Sequence, residues 1–146
     1  MKILRTTYLI RKEPYGSSPE WQTRYEEICT AIQTTEWPAG SGSFVLHAER
    51  KSNGVVPIKQ SCMTGLRSAG WNLETRFATS ASRTPGPIDA TYTENDGKLL
   101  CLEWETGNVF SSHRALNKMA SGLMQSEKHN SNIIVEPKAK IGFSIE

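Results

Sequence analysis

The sequence predicts an α/β fold, a central mixed β-sheet flanked by helices with its core elements in the order αβββαβ. Three segments repeat apolar residues at helical spacing, others alternate with period two, and a hairpin turn signal, Asn95-Asp96-Gly97, joins two of the alternating runs. At 146 residues the chain is expected to form a single domain with a core of its own.

Met1 to Arg11 reads as a short mixed segment with strand character, closed by Glu13-Pro14-Tyr15-Gly16-Ser17. Ser17 or Ser18 can cap a helix that runs to about Gln33, because Trp21, Tyr25, Ile28 and Ile32 recur on one side. Trp37 to Ser43 is a loop, and Phe44 to His47 a brief strand before Lys51-Ser52-Asn53-Gly54 turns the chain. Pro57 opens a second helix, lined by Ile58, Cys62, Leu66 and Ala69 and ended by Gly70. Leu73, Thr75 and Phe77 alternate as a strand, and Pro85-Gly86-Pro87 leads into the hairpin. A third helix is expected from Ser111 or Ser112, with Ala115, Leu116, Met119, Ala120, Leu123 and Met124 on its apolar side. Ile133, Ile134 and Val135 form a last strand before Pro137. Within residues 1–146 this divides into an N-terminal helical extension (1–52), a core (53–136) and a basic tail (137–146).

The hairpin carries the chemistry. A three-residue loop of Asn95, Asp96 and Gly97, with the glycine left-handed, sets Glu94 opposite Lys98 and, counting outward, Asp89 opposite Glu103. Alternation then places Leu99, Cys101, Glu103 and Glu105 on one face, with Asp89 joining them, and Leu100, Leu102 and Trp104 on the other. Two carboxylates about 5 Å apart repel by about 3 kcal/mol at an effective dielectric near 20, and a bound divalent cation removes that penalty. A two-residue Asp96-Gly97 turn would shift the register by one and turn Asp89 to the opposite face. An exposed polar hairpin with no ligand would also accommodate the pattern.

Charge and cysteine usage narrow the setting. The formal net charge of +2 is weak for a nucleic-acid-binding domain, yet residues 49–84 carry Arg50, Lys51, Lys59, Arg67, Arg76 and Arg83 against Glu49 and Glu74. A basic rim around an acidic centre suits a phosphodiester substrate. Cys29, Cys62 and Cys101 have no metal-ligand spacing, and three dispersed thiols suit a reducing cytosol. No run approaches a membrane span, and Arg5 interrupts the one apolar stretch at the amino terminus, so a soluble, cytoplasmic protein is expected.

An Asp at the start of one strand followed by Glu-x-Glu on the next resembles the nuclease core known by its Pro-Asp … (Asp/Glu)-x-Lys motif, the PD-(D/E)XK superfamily. More narrowly, Asn53 to Lys59, Gly70-Trp71, Pro85 to Asp89, and Glu103 to Asn108 followed by Ser111 to Lys118 resemble restriction endonucleases of the BglII and BamHI type, over roughly residues 50–136. The resemblance implies a restriction-endonuclease-like fold and Mg²⁺-dependent cleavage of double-stranded DNA by a homodimer at a short palindrome, with Mn²⁺ as a substitute and 5′-phosphate and 3′-hydroxyl ends as products. It implies Asp89 and Glu103 as the metal-binding acidic pair and Glu105 as the third catalytic and metal-binding position, where most of the superfamily has lysine. A carboxylate there would bind metal or accept a proton from the attacking water. The fourth acidic residue often supplied from the first core helix has no clear match, since Glu49 precedes that helix and Glu74 follows it. Such enzymes usually continue well past the last core strand, so 137–146 is expected to be a shortened tail.

The third helix begins just past the carboxylates, where its N-terminal N–H groups could bind a phosphate. Asn108, Ser111, Ser112, His113, Arg114, Asn117 and Lys118 are the candidate DNA contacts, Arg114 and Lys118 to the backbone and Asn108, His113 and Asn117 to base edges. A solvated helix face would carry the same residue types. Two other readings are a catalytically inactive DNA-binding relative and a glycosidase using Glu103 and Glu105. The latter is disfavoured, because residues two apart on one strand lie parallel, about 6.6 Å apart, instead of facing across a sugar.

Overall fold

Two helices lie over one face of a three-stranded antiparallel sheet in a computed structural model that describes residues 1–3, 6, 14–45, 55–76, 86–97 and 99–104, with backbone alone for 55–58. A short 3₁₀ turn at Tyr15–Ser17 precedes α1 (Pro19–Gln33), followed by α2 (Val55–Ser68), β1 (Asn72–Thr75), β2 (Ile88–Thr93) and β3 (Leu99–Leu102), with sheet order β1-β2-β3. The α/β composition expected from the sequence is present. The expected third helix, the Ile133–Val135 strand, Phe77 and most of the Met1–Arg11 and Phe44–His47 segments lie outside the described residues. Trp37 and Phe44 meet in an isolated bridge. Among the described residues no helix is long and apolar enough to cross a membrane.

The start of α1 follows directly from its sequence. Ser18 is the N-cap, its Oγ accepting from Trp21 N–H at 3.1 Å, and Pro19 takes the first helical position, where no N–H is needed. Such a cap contributes about 1 kcal/mol. Of the predicted stripe Trp21, Ile28 and Ile32 are buried and Tyr25 is half-buried against them, and Ala31 is buried beside them. α2 begins two residues earlier than its proline suggests. Pro57 still falls within the first turn, whose amides have no intrahelical partner to lose. Its end is a Schellman motif: Trp71 N–H donates to Leu66 C=O at 3.1 Å, Gly70 N–H to Arg67 C=O at 3.0 Å, and Gly70 takes φ +93°.

The two helices approach closely at Gly65, where an added Cβ would meet Ala31 Cβ at 3.3 Å. Their inner stripes, with Cys62, Met63 and Leu66 from α2, pack with Trp71, Ala90, Leu100, Leu102 and Trp104 in one hydrophobic cluster. Ile88 and Cys101, with Leu99 against them, form a second, smaller cluster. The hairpin is locked to α1 by polar contacts. Tyr15 Oη donates to Glu94 at 2.9 Å, Arg24 pairs with Glu27 and Glu94, its guanidinium lies 3.9 Å from the Tyr92 ring centroid, and Trp71 Nε1–H donates to Glu27 at 2.9 Å. Burial, its hydrogen bond to Glu94 and that neighbour's charge push the Tyr15 hydroxyl well above the usual tyrosine range.

Candidate metal centre

The hairpin forms in the three-residue-loop register. Ala90, Thr91, Tyr92 and Thr93 pair with Leu102, Cys101, Leu100 and Leu99, Gly97 takes φ +80°, and its N–H donates to Glu94 C=O at 2.9 Å. The two-residue alternative is excluded, since it would offset every pair by one. Leu99 and Cys101 fall in one cluster and Leu100, Leu102 and Trp104 in the other, as alternation requires.

Continuing that register by one step sets Asp89 across from Glu103. On its other edge β2 pairs with β1 through Asn72↔Thr91, Leu73↔Ala90 and Thr75↔Ile88, so the same continuation sets Asp89 across from Glu74. By that register Glu74 and Asp89 fall at facing positions of β1 and β2, and Glu103 follows one residue past the end of β3, in line with them, with neighbouring strands about 4.8 Å apart. Glu74 is the member that sequence reasoning left without a match. Its signal lies in the β1–β2 register and in its backbone: it adopts φ +53°, an uncommon conformation for a side-chain-bearing residue and one that concentrates at functional sites.

Alternation breaks at this row. Ile88 packs with Cys101 instead of with Ala90, and Thr75 Oγ1 lies 2.7 Å from Thr91 Oγ1. The Asp89 carboxylate, expected simply to join the Cys101 face, is held from two directions. Oδ2 accepts from Trp104 N–H at 2.7 Å, and Oδ1 accepts from Lys59 Nζ of α2, which also donates to Glu74 Oε1 at 3.0 Å. Lys59 precedes Cys62, Met63 and Leu66 on the stripe of α2 that faces the sheet. Burial alone would lower its pKa, but the hydrogen bonds and charges of Asp89 and Glu74 outweigh that and hold it above the usual lysine range.

Glu103 is buried, at 5% exposure, where a carboxylate is seldom found without compensation. Among the described residues no group of three His, Cys, Asp or Glu side chains converges closely enough to hold a metal by itself. Glu105, the third expected carboxylate, lies outside the described residues, as do Asn108, Ser111, Ser112, His113, Arg114, Asn117 and Lys118. The donor set in hand consists of hard carboxylate oxygens, two of them already sharing one cation, which is the chemistry Mg²⁺ or Mn²⁺ requires.

An Asp-led row of acidic residues at the end of a hairpin is what the nuclease resemblance calls for, and the whole chain carries the likeness: residues 1–143 match the restriction endonuclease BamHI family. The chain belongs to that family. It is 48% identical over 125 residues to the type II restriction enzyme OkrAI of Oceanobacter kriegii, covering 86% of this chain and 62% of that one. It is 38% identical over 113 residues to the type II restriction enzyme BamHI of Bacillus amyloliquefaciens, covering 73% of this chain and 53% of that one. The chain thus spans less than two thirds of the length of either relative. The match reaches back through α1, whose Trp21, Ile28, Ala31 and Ile32 belong to the same cluster as the hairpin.

Proposed function

We propose that this chain carries the catalytic core of a type II restriction endonuclease that hydrolyses double-stranded DNA in the cytoplasm, acting as a homodimer and leaving 5′-phosphate and 3′-hydroxyl ends. The observation that carries this reading is the register that lines Glu74 of β1 and Asp89 of β2 up with Glu103, one residue past β3, in a chain of the BamHI family. Asp89, Glu103 and Glu105 would hold Mg²⁺, with Mn²⁺ as a substitute, and Glu74 is the fourth acidic group. When bound, the ion polarises the scissile phosphate and activates the attacking water. Glu105 accepts a proton from that water. Asp89 is aimed by the Trp104 N–H, which fixes one carboxylate oxygen, and the other, now held by Lys59, would be the ligating one. Asn108, Ser111, Ser112, His113, Arg114, Asn117 and Lys118 contact the DNA, the cations through phosphates and the amides and imidazole through base edges.

Incubating the purified protein with mixed-sequence plasmid DNA and Mg²⁺, and then mapping the ends, tests the proposal. Discrete fragments with 5′-phosphates support it, and intact plasmid at every Mg²⁺ and Mn²⁺ concentration refutes it. One observation favours a second reading, a catalytically inactive DNA-binding relative: Asp89 and Glu74 are already bridged by Lys59. That reading expects salt-dependent DNA binding without cleavage.

A further inference from the structure

We propose that Lys59 is a positioning residue of this acidic row, a resident cation that holds Asp89 and Glu74 together and gives up its place to the divalent ion. The inference rests on the metal-dependent reading above and adds to it the residue that the ion must displace.

Lys59 sits at the head of an otherwise apolar stripe of α2, three, four and seven residues before Cys62, Met63 and Leu66. A lysine in that position ordinarily runs its stem along the apolar surface and leaves its ammonium in water. Here the ammonium is turned onto two carboxylates, and the side chain is 19% exposed. Asp89 Oδ2 accepts from Trp104 N–H on its β3 side, and Oδ1, the oxygen that Lys59 holds, is the one a metal would share with the ammonium. Mg²⁺ ligates a carboxylate oxygen at about 2.0–2.1 Å, and an ammonium sits about 2.7–2.9 Å from its acceptor. Two cations on one oxygen can thus be no farther apart than about 5 Å. Their repulsion at that distance favours an exchange of one cation for the other. The flexible four-carbon stem of lysine lets the ammonium swing aside. Until the ion arrives, the ammonium keeps Glu74 and Asp89 from repelling each other.

Mn²⁺ uptake by the whole chain, followed by electron paramagnetic resonance of the free ion, tests the exchange on the parent protein and on Lys59→Met, Lys59→Arg and Asp89→Asn. Lys59→Met is expected to bind Mn²⁺ roughly tenfold more tightly, the equivalent of one charge-assisted hydrogen bond at the low end of its range. Lys59→Arg, which keeps the cation, should restore the parent affinity, and Asp89→Asn should weaken binding. Equal or weaker binding by Lys59→Met, with Asp89→Asn still impaired, overturns the exchange and leaves the metal site standing. No uptake by the parent or by Lys59→Met overturns the metal site itself, and this inference with it. A second measurement needs no variant: acetylation of Lys59 relative to exposed Lys2, read by mass spectrometry, should rise severalfold once Mn²⁺ is bound. An unchanged ratio in protein shown to have bound Mn²⁺ refutes displacement.

Discussion

Asp89→Ala separates the structural work of this carboxylate from its proposed chemistry. In the metal-free protein the substitution removes the acceptor of Trp104 N–H, at 2.7 Å, and one of the two acceptors of Lys59. Trp104 is 6% exposed, so water cannot readily replace the lost partner of its amide, and hydrogen bonds to charged groups contribute about 1.5–3 kcal/mol each. Lys59 keeps Glu74 and is partly reached by solvent, which discounts the second loss. The expected destabilisation is therefore about 2–4 kcal/mol, or about 1–2 M in a urea midpoint measured in EDTA. Asp89→Asn should lose about half of this: whichever way its amide is turned, one donor, Trp104 N–H or Lys59 Nζ, faces an NH₂ group. Both variants should fail to cleave plasmid with Mg²⁺ or Mn²⁺ under conditions where they remain folded. An unchanged urea midpoint for Asp89→Ala would refute the hydrogen-bond account, and cleavage at the parent rate would refute the metal site.

Glu105→Ala, removing the proposed proton acceptor, should slow plasmid cleavage on the order of 10²- to 10⁴-fold while leaving DNA retention on a filter unchanged; a loss of under tenfold would exclude that role. Gly97→Ala forces a side chain into φ +80° with no neighbour within 4 Å to clash, so its cost is the backbone term, about 1 kcal/mol, or a fall of about 3–5 °C in Tm by calorimetry. Cys62, whose thiol burial pushes up to about 11, and buried Cys101 should resist an aromatic disulfide reagent at pH 8, whereas the half-buried Cys29 reacts before unfolding. Alkaline titration should weaken the fold through Tyr15: its raised pKa means the contribution is intact below the unfolded value near 10 and is lost as pH climbs through the folded value. Glu36 acts in the opposite sense. Its pKa is lowered by the Gly40 and Gly42 N–H groups, so its contribution is present above the unfolded value and disappears as pH falls through the folded one, and a Glu36→Gln variant should blunt the acid limb of a pH–Tm profile.

What the sequence disclosed was local. Ser18-Pro19 before a stripe of Trp21, Ile28 and Ile32 defines α1, Gly70 ends α2, and Asn95-Asp96-Gly97 fixes the hairpin register and so the facing of Asp89 and Glu103. Glu74 and Lys59 were not legible as site residues for a common reason. Neither is tied to Asp89 by a tight turn: Glu74 meets it across a pairing whose connection is long, and Lys59 only because α2 lays its inner stripe on the sheet. A lysine at the head of that stripe has the same letter whether it points to water or to carboxylates. The departure of Ile88 from strict alternation was equally hidden, since period two assumes a regular strand and the left-handed Glu74 beside it interrupts one.

A divalent ion held as proposed would have to enter a row that already contains a lysine. Taken ionised, Glu74 and Asp89 carry two negative charges against the one positive charge of the Lys59 that bridges them. Two opposed carboxylates about 5 Å apart repel by about 3 kcal/mol at an effective dielectric near 20, and each contact of the ammonium with one of them returns about 4 kcal/mol at 4 Å. Lys59 bridges Glu74 and Asp89, so the repulsion between those two carboxylates is compensated. An ion bound by the proposed pair, Asp89 and Glu103, would compete with Lys59 for Asp89 Oδ1. Replacing one positive charge by two at that oxygen lowers the remaining repulsion further, and it leaves a displaced ammonium beside a site whose proposed substrate is an anion. If the displaced ammonium of Lys59 serves the proposed cleavage, Lys59→Arg should preserve cleavage of plasmid DNA better than Lys59→Met.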